Sequence, residues 1–274
     1  MQKEKLIDQI KEKNSCLCVG IDPDPNKIPQ HLLSHSNPVS DFTSEIVKNT
    51  KGFCVAYKPN LAFFEAHGIK GWEALDKLMH EQIPETHFTI ADAKRGDLGN
   101  SSKMYAHSVF EIYDFDAVTV SPYMGIDSIE PFMDYKDKWV IVLALTSNPG
   151  SQHFQTQKME DGRMLYQYVI DKFKDLPNVM FVVGATQGDQ IKKIREQAPD
   201  NFLLIPGVGA QGGSMEDAYK NGCNEDCGVL INSSRGIIYS SSKPDFGQAA
   251  GHAASKLQKE MSTLIERYSP SLTL

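Results

Sequence analysis

The 274-residue chain is predicted to fold as a single closed (β/α)8 barrel of the TIM-barrel class, with one extra helix ahead of the first strand. Three observations predict it. Eight short apolar or β-branched runs recur along the sequence, each followed by a longer stretch of helical periodicity. Their spacing, about thirty residues per unit, leaves room for the crossover that parallel neighbours need. No linker, low-complexity tract or shift in composition interrupts them, so residues 1–274 read as one domain. An open doubly wound sheet is the second choice, and eight units favour closure.

The elements follow in order. An amphipathic pattern over 1–13 gives the extra helix. The strand runs are 16–21, 53–57, 87–91, 117–120, 140–145, 179–183, 202–205 and 229–231, and the pattern over 247–268 supplies the closing helix. The units are not near-copies of one another, which makes this a repeat of fold and not a solenoid. Segment 155–162 carries no chemistry of its own and reads as a surface loop and helix insertion.

Composition narrows the function classes. With 41% hydrophobic and 23% charged residues the chain can bury a large core. A formal net charge of -7, with no long Lys/Arg block, argues against a nucleic-acid or anionic-membrane partner. The N-terminus lacks the apolar core of a signal peptide, and no stretch reaches the roughly 18 apolar residues of a membrane span, so a cytoplasmic protein is expected. Five cysteines, an odd number and mostly in apolar runs, read as buried free thiols. Cys223 and Cys227 have no second half at matching spacing, and neither metal nor cofactor is expected.

In a barrel of this class the working groups come from the C-terminal ends of several strands. Asp22 follows the first run, Lys58 and Asn60 the second, and Thr146-Ser147-Asn148 the fifth. The third is followed by Asp92-Ala93-Lys94-Arg95-Gly96-Asp97, which sets a lysine between two carboxylates. Nearby negative charge keeps such an ammonium protonated, a loaded proton donor; a solvated surface ion pair is the plainer reading of the same run. Pro206 and the glycine-rich stretch 207–213 follow the seventh run, and Asn232-Ser233-Ser234-Arg235-Gly236 the eighth. Two such loops with an arginine match the phosphate site of many barrels, although the glycines also suit a simple flexible turn. His67, His80, His87 and His107 show no paired metal-ligand spacing, and no Ser or Cys sits in a G-x-S-x-G elbow. Fixed charge and a proton donor suit decarboxylation, isomerisation or aldol chemistry on a phosphorylated metabolite.

Six segments then carry a resemblance: Val19-Gly20-Ile21-Asp22-Pro23, Ala56-Tyr57-Lys58-Pro59-Asn60, Asp92 through Gly99, Thr146-Ser147-Asn148-Pro149-Gly150, Pro206 through Gly213, and Ser234-Arg235-Gly236. In this order they resemble the orotidine 5'-phosphate decarboxylase family, in particular its longer bacterial subgroup, over nearly the whole chain. The resemblance implies a cofactor-free (β/α)8 enzyme in which Lys94 protonates carbon 6 of the pyrimidine and Asp92 faces the substrate carboxylate. It implies that Lys58 and Asp22 hold the ribose hydroxyls, with Lys58 in an alternating Lys-Asp-Lys-Asp network. Asp97 would reach into a neighbouring subunit's site, which implies a homodimer with shared active sites. Ser147 would contact the pyrimidine, and Gln211 and Arg235 would grip the phosphate, with Pro206 and Gly236 beside them. Ser101, also in the substrate-binding set, stands where the family commonly has threonine. Magnesium-dependent relatives with the same D-x-K-x-x-D are the nearest rival, and they carry a metal-binding glutamate where this chain has Lys58. A non-catalytic nucleotide-binding barrel would have lost the donor or its carboxylates.

Overall fold

Eight parallel strands close on themselves in chain order: β1 (Leu17–Ile21), β2 (Ala56–Pro59), β3 (Phe88–Arg95), β4 (Ala117–Val120), β5 (Trp139–Leu145), β6 (Val179–Val183), β7 (Leu203–Pro206) and β8 (Val229–Ser233). The computed structural model describes residues 1–184, 188–208 and 213–273. Closure is made by β1 on β8, with Leu17 opposite Ile231 and Val19 opposite Ser233. Strands buried on both faces need no polar alternation, which is why the sequence shows them as continuous apolar runs. Val-Met-Phe-Val-Val of β6 is buried at every position.

The predicted strands fall within or against the observed ones, with two informative differences. β2 begins at Ala56 and runs through Lys58 to Pro59, later than the predicted 53–57. The strand ends on an inward-facing charge, and polarity there masks its extent. β3 continues to Arg95 because a bulge carries it past Asp92: Ala91 pairs with Val118, and the next pair is Arg95 with Val120.

The extra helix is Lys3–Lys13, with Leu6 and Ile10 fully buried. It caps the end of the barrel where strands begin. The Met1 ammonium pairs with Asp116, just ahead of β4, and Trp139 at the start of β5 donates its indole N–H to Met1 O at 2.9 Å. The closing helix Phe246–Tyr268 buries Phe246, Ala250, Ala254, Met261 and Ile265, a stripe of near-fourfold spacing that packs on helix Pro38–Thr50. Segment 155–162 corrects one expectation. It holds turns and a bridge between Lys158 and Met164, with the next helix starting only at Leu165. No helix among the described residues is long and apolar enough to cross a membrane. All five cysteines are free thiols, four of them buried.

Candidate active site

A cavity of about 180 Å³ opens at the C-terminal ends of the strands, lined by Asp22, Lys58, Asn60, Asp92, Pro206 and Arg235 with neighbouring residues of β7 and β8. An ion triad runs from its wall to its rim. Lys58 Nζ donates to Asp92 Oδ2 at 2.6 Å, and Lys94 Nζ donates to Asp92 Oδ1 at 2.6 Å. The two lysines differ in setting: the Lys58 side chain is 7% exposed and that of Lys94 53%. One ammonium is buried and the other is half exposed, though both are paired with Asp92.

The triad's charges hold each other. Burial alone would raise the Asp92 carboxyl, but the Lys58 and then the Lys94 ammonium outweigh it and hold the group well below the usual carboxylate range. Burial alone would lower Lys58, and the Asp92 and Asp22 carboxylates outweigh it, keeping that ammonium above the ordinary lysine value. With Asp22 as a second anion beside Lys58, the two ammonium groups and two carboxylates roughly balance, and Arg235 at the cavity wall is the further cation that an anionic ligand can meet.

Backbone geometry sets this arrangement up. Lys94 sits at φ +48°, a left-handed conformation unusual for a side-chain-bearing residue. The hydroxyl of Thr119, buried on β4, accepts the N–H groups of Ala93 and Lys94 at 3.0 and 2.9 Å and lies 3.1 Å from Asp92 Oδ1. On β1, Gly20 makes room for its neighbour: a Cβ there would fall 1.8 Å from Ser234 Oγ. Tyr239 secures the Asp22 loop, donating to Asp22 O at 2.6 Å and accepting the Asp24 N–H at 2.6 Å.

The structure brings together Asp22, Lys58, Asp92, Pro206 and Arg235, and it adds Lys94 at the rim through Asp92. Other expected residues stand elsewhere. Asp97 does not flank Lys94 within the chain, because after the bulge its carboxylate turns to accept the Leu98 N–H at 2.7 Å. Ser101 is exposed on helix Gly99–His107, beside a separate hollow formed with Asn100, Met104 and Tyr105. Ser147 follows β5, half-buried, with its backbone so close to Gly184 that a Cβ there would lie 2.8 Å from the Ser147 nitrogen. Gly236 is exposed in the short helix Arg235–Ile238 and does not line the cavity. Gln211 lies outside the described residues.

Thr119 was not singled out by the sequence, and Asn232 was named only as part of the polar run after the eighth strand, with no role. Thr119 is the sole polar residue of Ala-Val-Thr-Val, and that oddity was the available signal. Asn232, 6% exposed, lines the cavity with an amide oxygen that has no hydrogen-bond partner, as has the buried Oδ1 of Asp22. Paired acceptors without donors at a cavity wall suit a ligand that brings hydroxyl groups.

Comparison with known proteins gives a consistent set of relatives. A sequence profile described as orotidine 5'-phosphate decarboxylase / HUMPS family matches residues 15–249. The chain is 51% identical over 272 residues to the orotidine 5'-phosphate decarboxylase of Bacteroides fragilis strain YCH46, covering 97% of this chain and 99% of that protein. Among solved structures it is similar to the OMP decarboxylase of Leishmania donovani, with a TM-score of 0.83, 34% identity, and coverage of 96% of this chain and 99% of that one. A structure titled as a putative orotidine-monophosphate-decarboxylase from Plasmodium yoelii matches with a TM-score of 0.86 at 25% identity, covering 96% and 99%.

Proposed function

Since this chain belongs to the orotidine 5'-phosphate decarboxylase / HUMPS family, we propose that it is itself an orotidine 5'-phosphate decarboxylase. It converts orotidine 5'-monophosphate to uridine 5'-monophosphate and carbon dioxide, a step of pyrimidine biosynthesis. The observation that carries the reading is the triad, a single carboxylate held between two ammonium groups at 2.6 Å each at the cavity.

The chemistry follows from that charge. Loss of carbon dioxide leaves an electron pair on carbon 6, and Lys94, the more exposed ammonium, delivers a proton there. Charge that develops mainly in the transition state is stabilised by groups already in place, so the barrier falls without reorganisation. Asp92 faces the departing carboxylate and fixes Lys94. Asp22 and Asn232 accept from the ribose hydroxyls, consistent with their unpartnered oxygens. Arg235, with Pro206 and, on the resemblance, Gln211, grips the phosphate, far from the reacting carbon, where binding energy can serve closure of the site. Ser147 meets the pyrimidine.

The site is read as complete only in a homodimer, with Asp97 and Ser101 serving the neighbouring copy. Exposed apolar side chains support that reading. Leu98, Met104 and Tyr105 lie on or beside helix Gly99–His107, Ser102 of that helix donates to Ser128 O, and Tyr123 and Phe154 stand 6.3 Å apart, 81% and 62% exposed. The whole chain is read as one cytoplasmic domain.

Magnesium-dependent members of the family's wider group are disfavoured by Lys58, a buried cation where a metal would have to sit. The test is loss of orotidine 5'-monophosphate ultraviolet absorbance on adding protein with excess chelator. Chelator-resistant conversion to uridine monophosphate supports the reading; folded protein that gives no conversion, or only with magnesium, overturns it.

A further inference from the structure

We propose that Thr119 is a positioning residue for this reaction, its hydroxyl holding the Asp92–Lys94 bulge and so aiming the Lys94 ammonium. The inference rests on the reading of Lys94 as proton donor. Between the pairs Ala91–Val118 and Arg95–Val120, three residues of β3 stand opposite the single Thr119 of β4. That mismatch removes the ladder acceptors that Ala93 and Lys94 would otherwise use. One oxygen takes their place, accepting both N–H groups at 3.0 and 2.9 Å. The hydroxyl in turn donates to Asp92 Oδ1, with the two oxygens 3.1 Å apart, a shorter approach than the 3.5 Å to Ala91 O. The same atom therefore fixes the backbone of the donor, at its left-handed φ of +48°, and the carboxylate that orients it. Thr119 is 1% exposed and does not line the cavity, so it acts through its neighbours.

The hydroxyl can be deleted at nearly constant volume. Thr119→Val is expected to lower kcat by about 10²-fold, the scale associated with a small misplacement of reacting groups, with KM and uridine monophosphate affinity near wild type. Thr119→Ser, which returns the oxygen, is expected to restore kcat. Amide exchange reads the hold directly: Ala93 and Lys94 should be protected in wild type and Thr119→Ser and exchange faster in Thr119→Val. A folded Thr119→Val with wild-type kcat, or a folded Thr119→Ser as impaired as the valine variant, overturns the inference. Should valine prevent folding, Thr119→Ala deletes the same oxygen, and the serine result still decides. Wild-type protein without turnover would instead sink the decarboxylase reading, and amide exchange would still show whether the hydroxyl holds the bulge.

Discussion

A carboxylate with an ammonium on each oxygen cannot lose its charge without stranding both partners, and this governs what substitution at the triad will do. Lys94→Ala removes the exposed partner and leaves Lys58 paired with Asp92. Turnover should fall by at least roughly 10²–10⁴-fold, the usual worth of a positioned proton donor, while uridine monophosphate still binds. Steady-state kinetics beside calorimetric titration would check this, and turnover that survives would remove Lys94 from its role. Asp92→Asn is different in kind, because it leaves buried Lys58 without the carboxylate it touches and with only Asp22 near; a loss of up to about 3–5 kcal/mol in unfolding free energy is expected. The pH dependence has a definite sign. The folded-state value of Asp92 is depressed, so its contribution is complete above the unfolded value near ~3.9 and is lost as pH falls through the lower folded value. Denaturant titrations of wild type and Asp92→Asn should differ by a constant amount from neutral pH to mild acid and converge only at more acid pH.

At the scale of elements, catalysis and stability occupy opposite ends of the strands, as the barrel class leads one to expect. Helix Lys3–Lys13 closes the far end, where Lys13 Nζ lies 2.8 Å from His87 Nε2 and 2.8 Å from Cys54 O. Burial, and then the Lys13 charge, push His87 down to about 4. Here the unfolded state takes up the proton first, near pH ~6.5, so stability is full above that value and declines as pH falls towards 4. The loss is at most roughly 3.5 kcal/mol at about 1.4 kcal/mol per pH unit of displacement. His87→Gln should flatten unfolding free energy between pH 6.5 and 4 and leave kcat at neutral pH unchanged; an unaltered slope would place the acid sensitivity elsewhere. The same division explains what the sequence disclosed. Strands such as β6 were legible because burial on both faces demands unbroken apolar runs, and charged residues after those runs marked the catalytic end. β2 was misjudged because Lys58 lies inside the strand, held there by a partner 34 residues away. The bulge in β3 was invisible for a related reason: it is a mismatch with β4, and no property of either segment alone records it. Segment 155–162 had no periodic signal to read, and it is tied down by bonds from outside itself, such as the Thr146 N–H donating to Gln155 Oε1 at 2.8 Å.

At the scale of the whole molecule, one chain assembles three of the four charges that the resemblance implies, and the fourth points away. Lys58, Asp92 and Lys94 are in contact, whereas the Asp97 carboxylate accepts a local N–H beyond the bulge. The sequence placed Asp97 three residues from Lys94, yet nearness along the chain did not bring the two together. On the proposed reading a second copy completes the alternating network, and the exposed apolar side chains around helix Gly99–His107 offer such a copy a face to cover. This predicts complementation. Lys94→Ala and Asp97→Ala should each be nearly inactive as homodimers. A heterodimer of the two, isolated by tandem affinity tags, has one site with both defects and one with neither, so about half of wild-type activity should return. If Asp97 instead serves its own chain, every site in the heterodimer carries one lesion and no activity returns. The outcome of that mixing experiment decides whether the active site belongs to one chain or to two.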